Sequence, residues 1–160
     1  VLFRSDFPVV NLKKLTKHSK KLRDAKCDKL IIANMTKRLE AFYDDGKYLA
    51  SKSTIIILDS QISLLVLCGI LNSKLMSFYF QIKYKSTAMS GEALSINKER
   101  ISQLNVPSDK DELYEKISKK VQCINKEYSF TLHLEIDMLV FDLYGLSKDE
   151  IAIILNHFES

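Results

Sequence analysis

Few residues in this sequence have the type and spacing that catalysis requires. None of the three histidines has a carboxylate or cysteine at metal-ligand spacing, so each is interpreted as a surface or helix residue. They are His18, His133 and His157. No glycine-rich phosphate loop, Walker sequence, HExxH or GxSxG occurs, and there is no cofactor fingerprint. The sequence therefore predicts neither a catalytic site nor a metal site in this chain.

Two acidic groups resemble metal or nuclease sites, but each has a simpler interpretation. Asp44-Asp45-Gly46 combines the residue types that are typical of a turn. Asp109, Glu112 and Lys116 fall on one turn of a predicted helix, where such residues usually form a solvated face. We expect neither group to bind a metal.

The cysteines and the most apolar stretch indicate a cytoplasmic protein. Cys27, Cys68 and Cys123 are far apart and odd in number, which fits a reducing cytosol, and Cys68 lies in an apolar run that favours the core. The stretch from Ile62 to Phe80 is interrupted by polar residues and is too polar for a membrane span. Because the chain begins at Val1, we expect it to be a fragment of a longer protein.

The charge distribution indicates a polyanionic partner. Residues 1–108 contain 18 Lys/Arg and 9 Asp/Glu, a net charge of +9, whereas residues 109–160 contain 6 and 11, a net charge of −5; together they give the overall +4. One face meeting nucleic acid would explain this asymmetry, and so would an ordinary soluble protein with uneven surface charge. Residues 11–38 alone contain ten Lys/Arg, opposed only by Asp24 and Asp28.

Two kinds of candidate DNA contact follow from the residue types. Lys and Arg neutralise phosphates without sequence preference, whereas hydrogen-bonding side chains discriminate base edges. The candidate anchors are Lys13, Lys14, Lys20, Lys21, Lys37, Arg38 and Lys83, the last of which interleaves with Tyr79 and Tyr84. The candidate readers are Lys85, Ser86, Ser90, Glu92, Asn97 and Lys98. The same mixture also suits any solvated loop.

Hydrophobic periodicity predicts an α+β fold, with a small mixed β-sheet and one long helix followed by a C-terminal helical portion. The predicted units are a recognition domain over residues 1–108 and a helical subdomain over 109–160. The predicted strands are Lys29–Asn34, Leu39–Tyr43, Thr54–Leu58 and Leu94–Ile96. The predicted helices are Leu12–Arg23, Gln61–Tyr84, Lys98–Leu104, one capped by Ser108 and Asp111, Leu132–Tyr144 and Lys148–Phe158. Residues 85–93 are predicted to form a loop.

Several single residues carry local expectations. Gly69 and Ser73 lie on the buried face of the long helix, which indicates that another element packs closely there. The Asn72-Ser73 pair is interpreted as a structural group that bonds to backbone inside the fold. Gly145 is placed to end a helix, and Ser147 with Glu150 matches a capping box.

Three stretches, Lys29–Asp44, Leu67–Tyr79 and Ile96–Pro107, resemble the specificity domain of Taq-type adenine methyltransferases and type IIG restriction enzymes. A fourth stretch, Ile136–Ile151, adds a resemblance outside that domain. The first resembles the strand–turn–strand that opens the domain, the second its helix with a leucine-asparagine-serine core, the third its exit toward a proline, and the fourth the C-terminal end of many type IIG enzymes. The core of the second stretch is Leu71-Asn72-Ser73. At Asn105-Val106-Pro107 the chain departs from the family, which more often has proline on both sides of the apolar residue.

The resemblance implies sequence-specific recognition of double-stranded DNA by a non-catalytic piece of a prokaryotic restriction enzyme and adenine methyltransferase. It implies S-adenosylmethionine and magnesium in N-terminal methyltransferase and nuclease parts, which would also be the protein partners. Type I specificity subunits end their recognition domains similarly, so a half of such a subunit is an alternative. A protein-interaction module without nucleic acid and a small stand-alone enzyme remain further alternatives.

Overall fold

A computed structural model describes residues 19–84, 94–107 and 110–159 of the chain. Within these ranges the chain forms five short strands and seven helices. The strands are β1 (Asp28–Ala33), β2 (Met35–Thr36), β3 (Ala41–Asp45), β4 (Thr54–Ile57) and β5 (Leu94–Ser95). The helices are α1 (Ser19–Ala25), α2 (Leu64–Asn72), α3 (Lys74–Tyr84), α4 (Lys98–Ser102), α5 (Asp111–Lys126), α6 (Phe130–Tyr144) and α7 (Lys148–His157). The predicted α+β class is confirmed.

A three-stranded sheet in the order β3–β1–β4 forms the front of the molecule. Successive side chains of a strand face opposite sides, so Leu30 and Ile32 of β1 lie on one face with Ile55 of β4. All three are buried in the core that the sheet shares with α2. Every pairing among the described strands is antiparallel, including that of β2 with β5, where a mixed sheet was expected.

A buried ion pair holds the other face of the sheet. Lys29 and Asp44 are each 1% exposed, and their side chains are hydrogen-bonded to each other. The Lys29 ammonium also donates to the carbonyl of Ala25 (2.9 Å), while the Asp44 carboxylate accepts from the backbone of Lys47 (2.9 Å) and Tyr48 (3.1 Å). Buried charges persist only when they are paired and further hydrogen-bonded, as here. Asp44 is therefore part of the scaffold.

The chain from α2 to α3 forms two helices instead of the single long helix that periodicity predicts. The break lies at Ser73, and the two helices meet at 63°. Ser73 Oγ accepts from the backbone nitrogen of Met76 (3.2 Å), and Asp137 of α6 accepts from that of Lys74 (2.8 Å). These two side chains satisfy amides that begin α3 and would otherwise lack partners. Asp137 lies 63 positions after Lys74, so one partner at the break comes from a distant part of the chain.

Gly69 allows α5 to pack closely on α2, as the sequence predicts. A Cβ atom at this position would lie 2.6 Å from Cγ2 of Ile117 and 3.1 Å from Cγ2 of Val121. Both residues are buried. The backbone of α2 therefore lies directly against the apolar stripe of α5.

The ends of the C-terminal helices follow local signals. Gly145 ends α6 with a left-handed backbone (φ 67°), and Ser147 and Glu150 form the predicted capping box of α7. Lys110 is the N-cap of α5 and makes no side-chain cap, so Asp111 is the first helical residue. The cap predicted at Ser108 lies outside the described residues.

Helix α6 is apolar on both its inner and its outer side. Ile136 and Val140 are buried, whereas Phe130 and Met138 are 65% and 54% exposed.

None of the described helices is by itself long and apolar enough to cross a membrane, and only the bent pair of α2 and α3 meets the length and composition required.

Candidate nucleic-acid interface

Asn72 joins the free edge of the sheet to α2. Its Oδ1 accepts from the backbone nitrogen of Ala41 (2.9 Å), and its Nδ2 donates to the carbonyls of Ala41 (2.7 Å) and Cys68 (3.0 Å). Among the described strands, β3 lies at the edge of its sheet, so this amide pairs backbone groups of Ala41 that no described strand reaches. The structural interpretation of Asn72 is confirmed. Asn72 therefore holds the start of β3. It also holds the end of the preceding segment between β2 and β3, which contains Lys37 and Arg38 and is called the basic segment.

The ribbon of β2 and β5 carries two predicted groups of site residues at its opposite ends. Thr36 of β2 pairs with Leu94 of β5, and the strands run antiparallel. Lys37 and Arg38 directly follow β2, so they leave the ribbon at the end where β5 begins. Lys98 follows β5 and leaves it at the other end.

The last turns of α3 lie beside the same basic segment. Gln81 Nε2 donates to the carbonyl of Lys37 (2.8 Å). Two residues later, about half a turn around the helix, the Lys83 ammonium donates to the hydroxyl of Tyr79 (2.6 Å) and lies 5.0 Å from the centroid of that ring and 5.6 Å from that of Tyr84. Lys37, Arg38 and Lys83 are all exposed; as the basic residues of the end of α3 and of the segment that Gln81 contacts, they are called the basic cluster below.

Local interactions of Lys83 and Arg38 bear on the charge of this cluster. The hydrogen bond to Tyr79 raises the pKa of Lys83, because the hydroxyl stabilises the ammonium form. The Arg38 Nε atom lies 4.0 Å from Oε1 of Glu40, and the Arg38 side chain is exposed. A loose ion pair of this kind in contact with water neutralises little of the positive charge of Arg38. Arg38 also affects His133 of α6. Burial lowers the pKa of His133, and the positive charge of Arg38 lowers this pKa further.

Arg100 connects α4 to the end of α3 and was not among the predicted site residues. Its guanidinium carbon lies 4.2 Å from the centroid of the Tyr84 ring, and its Nη1 donates to the carbonyl of Ser95. Asn97 is the N-cap of α4, and its Oδ1 accepts from the backbone nitrogen of Arg100 (2.9 Å). The sequence signal for this arrangement was Tyr84 among basic residues, but the pairing itself is a tertiary contact.

The structure groups some of the predicted residues and leaves others separate. Lys20 is exposed on α1, and the contacts that build the basic cluster do not include it. Asn97 is exposed but uses its side-chain oxygen as a helix cap, and Lys98 is exposed beside it. Lys13, Lys14, Lys85, Ser86, Ser90 and Glu92 lie outside the described residues, as does the side chain of Lys21.

Within residues 19–84, 94–107 and 110–159, no three His, Cys, Asp or Glu side chains come together as metal ligands. Glu112 and Lys116 form an exposed ion pair one helical turn apart (2.7 Å), as expected for a solvated face. Cys68 is buried in the core, and this burial raises the pKa of its thiol to about 12, which disfavours the thiolate.

Comparison with known families identifies the chain. Residues 5–106 match the family model of the TaqI-like C-terminal specificity domain. The chain belongs to this family. The match includes the sheet, α2, α3 and the basic cluster, and it connects the chain to DNA sequence recognition in a restriction–modification enzyme. No curated protein matches the chain.

Proposed function

We propose that this chain selects the DNA sequence on which a type IIG-like restriction endonuclease and adenine methyltransferase acts. The observation that carries the proposal is a set of exposed cations, the basic cluster, on a TaqI-like specificity domain. Lys83 lies over the rings of Tyr79 and Tyr84, and Lys37 and Arg38 belong to the segment that Gln81 of α3 contacts. Cations on a rigid support suit phosphates, and phosphate contacts position a protein on the duplex before any base is read.

The proposed roles divide anchors from readers. The proposed phosphate anchors are Lys13, Lys14, Lys20, Lys21, Lys37, Arg38 and Lys83. The proposed base readers are Lys85, Ser86, Ser90, Glu92, Asn97 and Lys98. Ser, Asn and Glu side chains supply the donors and acceptors that distinguish base edges, whereas the anchors supply charge. The support for the anchors is strongest at Lys37, because Gln81 holds its carbonyl against α3.

The remaining steps belong to the proposed parent enzyme. Methyl transfer would need S-adenosylmethionine and strand cleavage would need magnesium, both bound by N-terminal domains of the same polypeptide. Those domains would be the protein partners of this chain, in the cytoplasm of a prokaryote. A half of a type I specificity subunit would present the same recognition surface to a different parent.

The test is a fluorescence-anisotropy titration with a pool of random-sequence duplexes at two salt concentrations, followed by sequencing of the retained DNA. Each neutralised phosphate adds about 0.9 to the slope of log affinity against log salt. The variant K37A/R38A/K83A should therefore lose about two to three from that slope. Lys119, exposed on α5 and paired with Glu115, provides the control substitution K119A, which should leave the slope unchanged.

The outcomes separate the proposal from its alternatives. Salt-dependent binding with enrichment of one short sequence supports a specificity domain and names its site. Binding without enrichment supports phosphate contact but contradicts a reader role. Equal loss in the triple variant and in K119A contradicts the assignment of the basic cluster.

A protein-contact role is the second candidate, and the exposed side of α6 favours it. Phe130, Leu134 and Met138 recur at helical spacing and are 65%, 38% and 54% exposed, on a helix that the family match does not include. A specificity domain described as C-terminal has preceding domains in its parent, so those domains are the proposed occupants of this face. A chain that binds no duplex even at low salt would favour this role over DNA recognition.

A further inference from the structure

Arg100 joins two points of the chain that lie on either side of residues 85–93. Tyr84 is the last residue of α3, and the Arg100 guanidinium lies over its ring at 4.2 Å. Ser95 is the last residue of β5, and its carbonyl accepts a hydrogen bond from Arg100 Nη1. One side chain therefore connects the position before this segment to a position just after it.

The residues that make this connection are themselves held in place. Asn97 caps α4 through the backbone nitrogen of Arg100, which fixes the start of the helix that carries the guanidinium. Ile101 of α4 packs against the hydrophobic core. The Tyr84 hydroxyl lies 3.5 Å from Oε1 of Gln103, a second and longer contact between α3 and the end of α4. Arg100 thus acts from a helix with its own anchor in the core.

We propose that Arg100 is a positioning residue for DNA recognition, which fixes the separation of the chain at Tyr84 and Ser95 and does not itself anchor phosphate. This inference rests on the proposed function. A planar guanidinium can stack on a ring and donate a directed hydrogen bond at the same time, which an ammonium cannot do equally well. Recognition groups must be held to within about 0.5 Å to discriminate their targets, so loosening either contact should reduce discrimination.

Four variants of the whole chain separate positioning from phosphate contact. R100A removes both contacts, and R100K keeps the charge but loses the planar stack. Y84L removes the ring, whereas Y84F keeps the ring that Arg100 contacts and removes the hydroxyl, which makes it the matched control for the ring itself. Each variant is measured in two ways: by amide hydrogen exchange without DNA, and by affinity for the enriched sequence and for random duplexes at two salt concentrations.

The expected result has the same order in both measurements. The amide of Ile96, which donates to the carbonyl of Asn34 (2.7 Å) in the ribbon, should exchange about tenfold faster in R100A, R100K and Y84L. The same three variants should lose about tenfold in preference for the enriched sequence, while affinity for random duplexes changes less than about threefold and the salt slope stays constant. Y84F should match the wild type.

Two results would overturn the inference in different ways. If R100A weakens enriched and random duplexes equally, lowers the salt slope by about one, and is rescued by R100K, then Arg100 is a phosphate anchor. Unchanged exchange at Ile96 in R100A would show that the connection does not hold the ribbon. A wild-type chain that binds no duplex overturns the proposed function instead, and the exchange measurement distinguishes that failure from a failure at Arg100.

Discussion

Replacing Gly69 with alanine should destabilise the chain, even though alanine is the better helix former. In an exposed helix the change would stabilise by about 1 kcal/mol. Here the new Cβ would lie 2.6 Å from Cγ2 of Ile117 and 3.1 Å from Cγ2 of Val121, so helix α5 has to move or side chains have to leave their rotamers. Overpacking of this kind costs about 1–3 kcal/mol, and two branched neighbours favour the upper end.

The net effect is a loss of about 2 kcal/mol once the gain in helix propensity is subtracted. Urea unfolding followed by circular dichroism measures it, and with a slope of about 1–3 kcal/mol per molar the midpoint should fall by about 1 M. A Gly69→Ala chain that is as stable as the wild type, or more stable, would refute the close packing of α2 against α5.

A pair of substitutions at Ile117 tests the cause of that loss. Ile117→Ala removes the Cγ2 atom that the new methyl would meet, whereas Ile117→Val retains it. Combined with Gly69→Ala, the alanine at 117 should show a favourable coupling of about 1–2 kcal/mol in a double-mutant cycle. The valine should show little coupling. Equal coupling for both would mean that the overlap is not at Cγ2.

Three further predictions concern buried polar groups. Asn72→Asp should lower the free energy of unfolding by about 1–3 kcal/mol, because the edge strand loses the amide donor and gains a carboxylate beside the Ala41 carbonyl. Asn72→Ala should lower it less than Asn72→Asp does above pH 6. The reverse order in urea titrations would contradict the proposed hydrogen bonds. Burial raises the pKa of Asp137, so its contribution to stability is present near pH 4 and is lost as pH rises through the raised pKa. Asp137→Asn should therefore gain stability relative to wild type between pH 4 and pH 8, whereas a constant difference would argue against the shift. Cys68, with its pKa raised to about 12, should resist a thiol reagent at pH 8 until the chain unfolds, while the two exposed cysteines react at once.

Local sequence signals predicted the elements whose causes are themselves local. The isoleucines of β4 gave its position to within a residue, since β-branched side chains favour strands. Gly145 ended α6, and the box of Ser147 and Glu150 began α7, because each signal lies within four residues of the helix end that it determines. Even the close packing at Gly69 was visible, because a glycine on an apolar helical face leaves room for a neighbour.

Features that depend on distant partners were not readable. At the break, the amide of Lys74 is paired with Asp137, whereas the periodicity of the apolar residues runs through Ser73 without interruption. In the sequence, Lys29 is one of ten basic residues in the range 11–38, and Asp44 belongs to a predicted turn. No local signal indicates that the two side chains form a buried ion pair. The contact between Arg100 and Tyr84 joins residues 16 apart that no local pattern connects. Each of these needs the tertiary fold before its partner can be known.

The helices beyond the family match contribute directly to the part of the chain that carries the basic cluster. Asp137 of α6 accepts a hydrogen bond from the first amide of α3. The Nε2 atom of His157 in α7 lies 2.6 Å from Oε1 of Gln81, and Nε2 of the same Gln81 donates to the Lys37 carbonyl. Asn125 of α5 donates to the carbonyl of Tyr43 on the edge strand (3.1 Å). Helix α3 contacts the basic segment through Gln81, and β3 follows this segment in the chain. Residues of α5, α6 and α7 therefore help to hold the basic segment in place. Sequence recognition in this chain therefore rests on a support that extends well past the residues that define the family.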